Sequence, residues 1–357
     1  MSRRLCAAAR AVFAVTFAVT VSPASGSAPG AVLGFERPDD AFEPSPGFRL
    51  GARVPKDAPG PLAPPVLRAA VSTETPRRLF DGKTTAITAA VLLGAPVVGY
   101  FTWWRTDSRS TFAFANERWF QRDTYAGGAD KASHVFLGFL GTQILEGAYG
   151  AVGKTAAESR ALAFGVVALT GALTEVGDGY SKYGFAWEDI AANTVGSLVA
   201  TGIDAWGLRD TAGLRFGYVK TLVPDACCRY GGYGDDYSKE IYSADLKLAG
   251  FLPRLGVNPG PARFFLLSVT YGTKGYRYSD APTRQRNVGL EVGLNLREIL
   301  VAAGVPEKPW WGRILIGIAT YFRFPYTSLG WHYDLNHGKW GGPDTGDRFD
   351  PGSIIYD

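Results

Sequence analysis

Ionisable side chains in the middle of this chain concentrate at the ends of three long apolar segments, and that placement limits how the segments can pack. The segments run roughly from Ala132 to Val152, from Ala161 to Val176 and from Ile190 to Trp206. Asp130, Lys131 and His134 open the first, Glu175 and Asp178 close the second, and Asp189 and Asn193 open the third. Each segment is close to the minimum length for a membrane-spanning helix and dense in Gly, Ala, Ser and Thr, small residues that let helices approach closely. In an up-and-down bundle the start of the first helix, the end of the second and the start of the third share one side. One polar cluster at one end of a helical bundle is the expected result.

Upstream, Thr84 to Trp104 is a largely uncharged run that ends in Tyr100, Phe101, Trp103 and Trp104 before Arg105. Its length and aromatic edge suit a membrane span, with Pro96 expected to kink it. A membrane-resident bundle of about four helices is the preferred reading. The alternative is a soluble bundle, because Gln143, Glu146 and Asp204 interrupt the apolar faces.

The chain opens with Arg3 and Arg4, an apolar run from Leu5 to Val21 broken by Arg10, and the small residues Ser25 to Ala28. This reads as an export signal over residues 1–28, and it places the remainder in a bacterial cell envelope, facing the periplasm, in a membrane of unspecified identity. Cys6 lies too early to carry a lipid after cleavage. The vicinal pair Cys227 and Cys228 offers neither a loop-closing disulfide nor a four-ligand zinc set. Residues 29–80, rich in proline and glycine, predict a flexible tether. The net charge of +4 carries no dense basic run, so nucleic acid is not an expected partner.

After the helical domain, assigned to residues 81–210, the pattern changes to alternation. Val288, Leu290, Val292, Leu294 and Leu296 alternate with Gly289, Glu291, Gly293 and Asn295. Similar alternation at Leu214–Tyr218, Tyr242–Leu248, Phe265–Tyr271 and Ile314–Ile318 gives about five strands over residues 211–334. That is too few for a closed single-chain membrane barrel. The fold class is therefore α+β, a membrane-associated bundle followed by an antiparallel strand-rich region. Residues 335–357 predict an irregular tail.

On a helix, Asp130 and His134 share a face, as do Asp189 and Asn193, with Glu175 and Asp178 three residues apart. One imidazole and several carboxylates form a set able to run acid–base chemistry, with His134, Asp130, Glu175, Asp178 and Asp189 as the catalytic candidates. A divalent metal is the cofactor such a set would take, with His134, Glu175 and Asp178 as its candidate ligands. Lys131 is placed to meet an anionic head group, and Asn193, Tyr180 and Trp187 to line the substrate. The structural alternative makes Asp130 and Asp189 helix caps and Asn193 a packing hydrogen bond. His332 and His337 give only a weak metal signal. No G-x-S-x-G nucleophile motif is present.

The stretches Asp130-Lys-Ala-Ser-His134, Glu175-Val-Gly-Asp178-Gly179 and Gly184-Phe-Ala-Trp-Glu-Asp189, followed by Asn193 and Gly196, resemble the YfiM-like family of envelope proteins. Trp103, Trp104, Phe114, Asn116, Trp119 and Phe120 resemble its longer members, and a more distant likeness runs to VanZ-like membrane proteins. The resemblance covers roughly residues 85–210 and implies an envelope location and a shared polar site, without naming a reaction. Its short members are predicted lipoproteins, a mode of attachment for which this chain lacks a suitable cysteine. The expected function is action on a membrane lipid or lipid-linked phosphate. The alternative is a non-enzymatic envelope factor whose polar cluster holds helices together while the sheet binds a lipid or partner.

Overall fold

A computed structural model describes residues 79–218, 240–274 and 284–344, apart from Tyr125, together with Tyr237 and Tyr276. The expected export signal, most of the tether and all three cysteines lie outside these residues.

Helix α1, Gly82–Gly99, is capped by Asp81, whose side chain accepts from the Thr84 N–H at 2.9 Å. It continues through Pro96 and widens into a π-helical turn at Tyr100–Trp104. Three long helices follow: α2 Ala129–Ala151, α3 Ala156–Gly179 and α4 Trp187–Ala205. Thr155 and Glu158 close a reciprocal capping box on α3. The small residues act as expected where α2 crosses α4. A Cβ on Gly196 would collide with the Val135 carbonyl, and one on Gly138 with the Asn193 carbonyl. Among the described residues two helices, Gly82–Thr102 and α3, are long and apolar enough to cross a membrane.

Among the described residues the second half forms a seven-stranded sheet, two strands more than expected, in the order β5-β1-β2-β3-β4-β6-β7. Its strands are β1 Ala212–Tyr218, β2 Glu240–Lys247, β3 Phe265–Lys274, β4 Gln285–Leu294, β5 Phe322–Arg323, β6 Ser328–Asp334 and β7 Lys339–Asp344. All pairs are antiparallel except β1 with β5. Short helices α5 Leu248–Arg254 and α6 Leu296–Ala302 follow β2 and β4.

Two expectations need correction. Ile314, Ile316 and Ile318 belong to helix α7, Trp310–Tyr321, and not to a strand. The run is apolar at almost every position, so it satisfies both periods. The buried set Gly312, Ile316 and Ala319 shows that the helical one is used. The tail is not wholly irregular either, because Lys339–Asp344 pairs with β6 despite its glycines and proline.

The halves meet where α2 lies on the sheet. Phe136 stacks on Phe216 with ring centroids 5.6 Å apart and stands edge-on to Phe322 at 6.2 Å. At the far end of the contact, Tyr271 on β3 hydrogen-bonds the Gly127 carbonyl in the turn before α2.

Candidate functional site

Gly127 and Gly128 turn the chain into α2 with φ of 62° and 94°, conformations that suit glycine, and so set Asp130, Lys131 and His134 on the first turns of the helix. The start of α4 supplies Asp189 and Asn193. The segment before α2 runs alongside residues 181–185, with Ala115 donating to the Phe185 carbonyl at 2.8 Å, and delivers Glu117 to the same place.

His134 is held from one side and faces two acids on the other. Its Nδ1 lies 3.0 Å from Asn193 Nδ2. Its Nε2 lies 3.7 Å from Asp130 Oδ1 and 3.6 Å from Asp189 Oδ1. The acids are nearly enclosed, whereas the imidazole keeps about a fifth of its side chain exposed at 19%. Neither carboxylate caps its helix: the capping positions are Gly128 and Ala186, with no side-chain cap at either. Both sit within the first turn, where the helix dipole favours negative charge.

Lys131 does not face outward to a head group as expected. It is 2% exposed, and its ammonium is gripped by Glu117 at 2.5 Å, by Asp130 at 2.8 Å and by Asp189. Tyr237 adds a hydrogen bond from its hydroxyl to Asp130 Oδ1. The electrostatics follow from this crowding. Burial, aided by the charge of Asp130, pushes Glu117 up to about 8. Burial likewise lifts Asp189 to about 6, against the pull of His134 and Lys131. Burial opposes ionisation of Asp130 too, but the charges of His134 and Lys131 and the donors Lys131 and Tyr237 outweigh it and hold this acid below the ordinary range.

The remaining expected residues stand around this core. Glu175 is buried and accepts the Ala186 N–H at 3.2 Å, so it anchors the start of the helix that carries Asp189. Asp178 accepts from Trp104 Nε1 at 2.7 Å. Among the described residues, the three groups that come within ligand distance of one another are Asp130, His134 and Asp189, all within 4.8 Å, and not the expected set of His134, Glu175 and Asp178. Tyr180 and Trp187 lie at the surface, packed on Phe112 and Trp119. His332 and His337 pair with Glu291 and Asp334 in the sheet.

Sequence reasoning missed Glu117, Tyr237 and the buried Glu188, whose Oε1 accepts the Arg118 N–H at 3.3 Å. Glu188 adjoins Asp189 and could have been suspected. Glu117 and Tyr237 lie in stretches without periodicity, and only the fold brings them in.

Residues 116–203 match the model of a family described as predicted periplasmic lipoprotein (DUF2279). The match contains every residue of the core cluster except Tyr237, and it agrees with the periplasm-facing envelope address and the YfiM-like resemblance read from the sequence. No curated protein and no solved structure matches the chain.

Proposed function

We propose that this envelope protein acts on a lipid or lipid-linked phosphate, with His134 as the proton-transfer group and Asp130 and Asp189 as its flanking carboxylates. The observation that carries this reading is an imidazole fixed through Nδ1 by Asn193, with Nε2 held between two buried acids and one edge open. The orientation of the Asn193 amide sets the tautomer. With Oδ1 toward the ring, Nδ1 carries the proton and Nε2 is a base; with Nδ2 toward it, Nε2–H is an acid. The exposed rings of Phe114, Tyr180 and Trp187 on the neighbouring segments suit an acyl or isoprenoid tail.

A divalent cation also fits the Asp130, His134 and Asp189 trio, which offers one nitrogen and two oxygen donors. Such an ion would supply charge to polarise a phosphate oxygen. It would compete with Lys131, whose ammonium already touches both acids. Proton transfer is therefore the first assignment.

A second reading has its own support. The Asn193 backbone lies in the tight crossing of α2 and α4, so the cluster suits a packing network. Reconstituted protein and His134→Gln, incubated with phospholipid and isoprenoid phosphate vesicles, separate the two. Phosphate release lost in a variant that melts like the parent supports the enzyme. No release from the parent and a sharply lowered melting temperature in the variant supports the packing network. Metal analysis of both proteins tests the cation.

A further inference from the structure

The sheet is built with its polar side in. Arg215, Ser243, Asp245, Ser268, Thr270, Glu291 and His332 all lie on one face, and all are buried. Arg215 binds Asp245 at 2.5 Å, Ser268 donates to Asp245 at 2.6 Å, and Glu291 takes Arg323 at 2.6 Å and His332 at 3.0 Å. Arg323 is on β5 and Glu291 on β4, four places apart in the strand order. Laid flat, those strands would stand roughly 19 Å apart, beyond an arginine's reach. The sheet therefore curls until β5 faces β4 across a polar interior.

The opposite face is apolar and largely uncovered. Helix α2 and the turn before it cover it near Phe216, Tyr242 and Tyr271. Beyond that contact, Leu267 and Val269 on β3, Leu290 and Val292 on β4 and Leu329 and Trp331 on β6 are 43–57% exposed. They form two cross-strand rows, Val269–Leu290–Trp331 and Leu267–Val292–Leu329. No ionisable side chain lies among them. Glu240 and Arg286, which share this face, stand together at one end of it, where Arg286 bonds the Phe120 carbonyl and Tyr271 the Gly127 carbonyl. From Phe265 to Tyr271 the uncharged band spans about 20 Å.

We propose that this face of β3, β4 and β6 is immersed in the acyl chains of a lipid bilayer. A protein in water puts its charges out and its leucines in, and this sheet does the reverse. The charge distribution selects the occupant, with an uncharged band for the chains while the ionisable groups of the sheet are turned to the buried face or held at one end of this one. The face is continuous with the one on which α2 packs, and Leu137 of α2 is itself 54% exposed. Strands β3 and β4 are hydrogen-bonded on both sides, so they present no open edge to lipid. The inference stands independently of what the polar site does.

The test uses the full chain with Cys6, Cys227 and Cys228 replaced by serine, carrying Val269→Cys or Leu290→Cys, labelled with a polarity-sensitive fluorophore and reconstituted in phosphatidylcholine/phosphatidylglycerol vesicles. Quenching by doxyl-labelled acyl chains, with none by aqueous iodide, is the expected result. Quenching by iodide alone would overturn the proposal. So would protection from both quenchers together with cross-linking between two copies through residue 269, which would assign the face to self-association. In an unlabelled check, Leu290→Arg should lower vesicle incorporation roughly tenfold or more while keeping its melting temperature in detergent. Unchanged incorporation would count against immersion.

Discussion

Asn193 Nδ2 sits 3.0 Å from His134 Nδ1 across the α2–α4 crossing, so the helix contact and the orientation of the imidazole are one geometric fact. Asn193→Ala removes that bond and is expected to lower stability by about 1 kcal/mol. The same variant should change the tautomer ratio of His134, read from its ring nitrogen shifts. An unchanged ratio would show that the flanking acids alone orient the ring.

The closeness of the two helices depends on Gly196, which has the Val135 carbonyl where a side chain would begin. Gly196→Val should push α4 away, cost about 1–3 kcal/mol and break the His134–Asn193 contact. Gly147→Ala on α2, where a Cβ meets nothing within 4 Å, is the matched control and should be neutral or slightly stabilising. Equal melting temperatures for parent and Gly196→Val would contradict the crossing.

Glu117 gives the cluster a pH signature. Its folded-state value is raised from 4.5 to about 8, so the folded protein holds this proton more tightly than the unfolded chain. The resulting stability is complete below about 4.5 and lost as pH rises toward 8. Thermal melts between pH 6 and 8 should therefore show stability falling with pH, and Glu117→Gln should reduce that slope, leaving the share of carboxylates such as Glu146 that burial raises in the same direction. An equal slope in the variant would assign the effect elsewhere. Below pH 4 the sign reverses, because Asp130 is held ionised in the fold and must be protonated.

Much of the site was readable because it obeys helical arithmetic. Asp130 with His134 and Asp189 with Asn193 meet as their four-residue spacing and the up-and-down order of three helices require. Lys131 departs from its expected outward position because an ideal helix gives only a direction. Its long stem folds back when Glu117, Asp130 and Asp189 wait inside. Glu117 itself comes from an irregular segment whose path is set by pairing with residues 181–185, and no local pattern records that pairing. In the sheet, alternation identified β1 to β4. Two-residue β5 and glycine-rich β7 are defined only by their neighbours, while the isoleucine-rich α7 satisfied two periods at once.

The interior of the curled sheet makes a further prediction. Arg323→Met leaves Glu291 buried with His332 and without its arginine, and breaking a buried pair from one side costs about 3–5 kcal/mol. Combining Arg323→Met with Glu291→Met should recover part of that loss. A double variant no better than the single one would mean that the two side chains are not coupled across the curl.

The parallel seam between β1 and β5 joins Phe216 to Phe322, partners roughly a hundred residues apart in the chain. During synthesis β1 emerges early, finds β2, and then keeps its other edge open until almost the whole sheet has been made. Closing so long a loop is slow, and an open edge in the meantime invites pairing with other chains. Release of a finished molecule thus waits on a two-residue strand near its end, and truncation just before Phe322 should yield a product prone to aggregate even though the polar site and most of the sheet are already encoded.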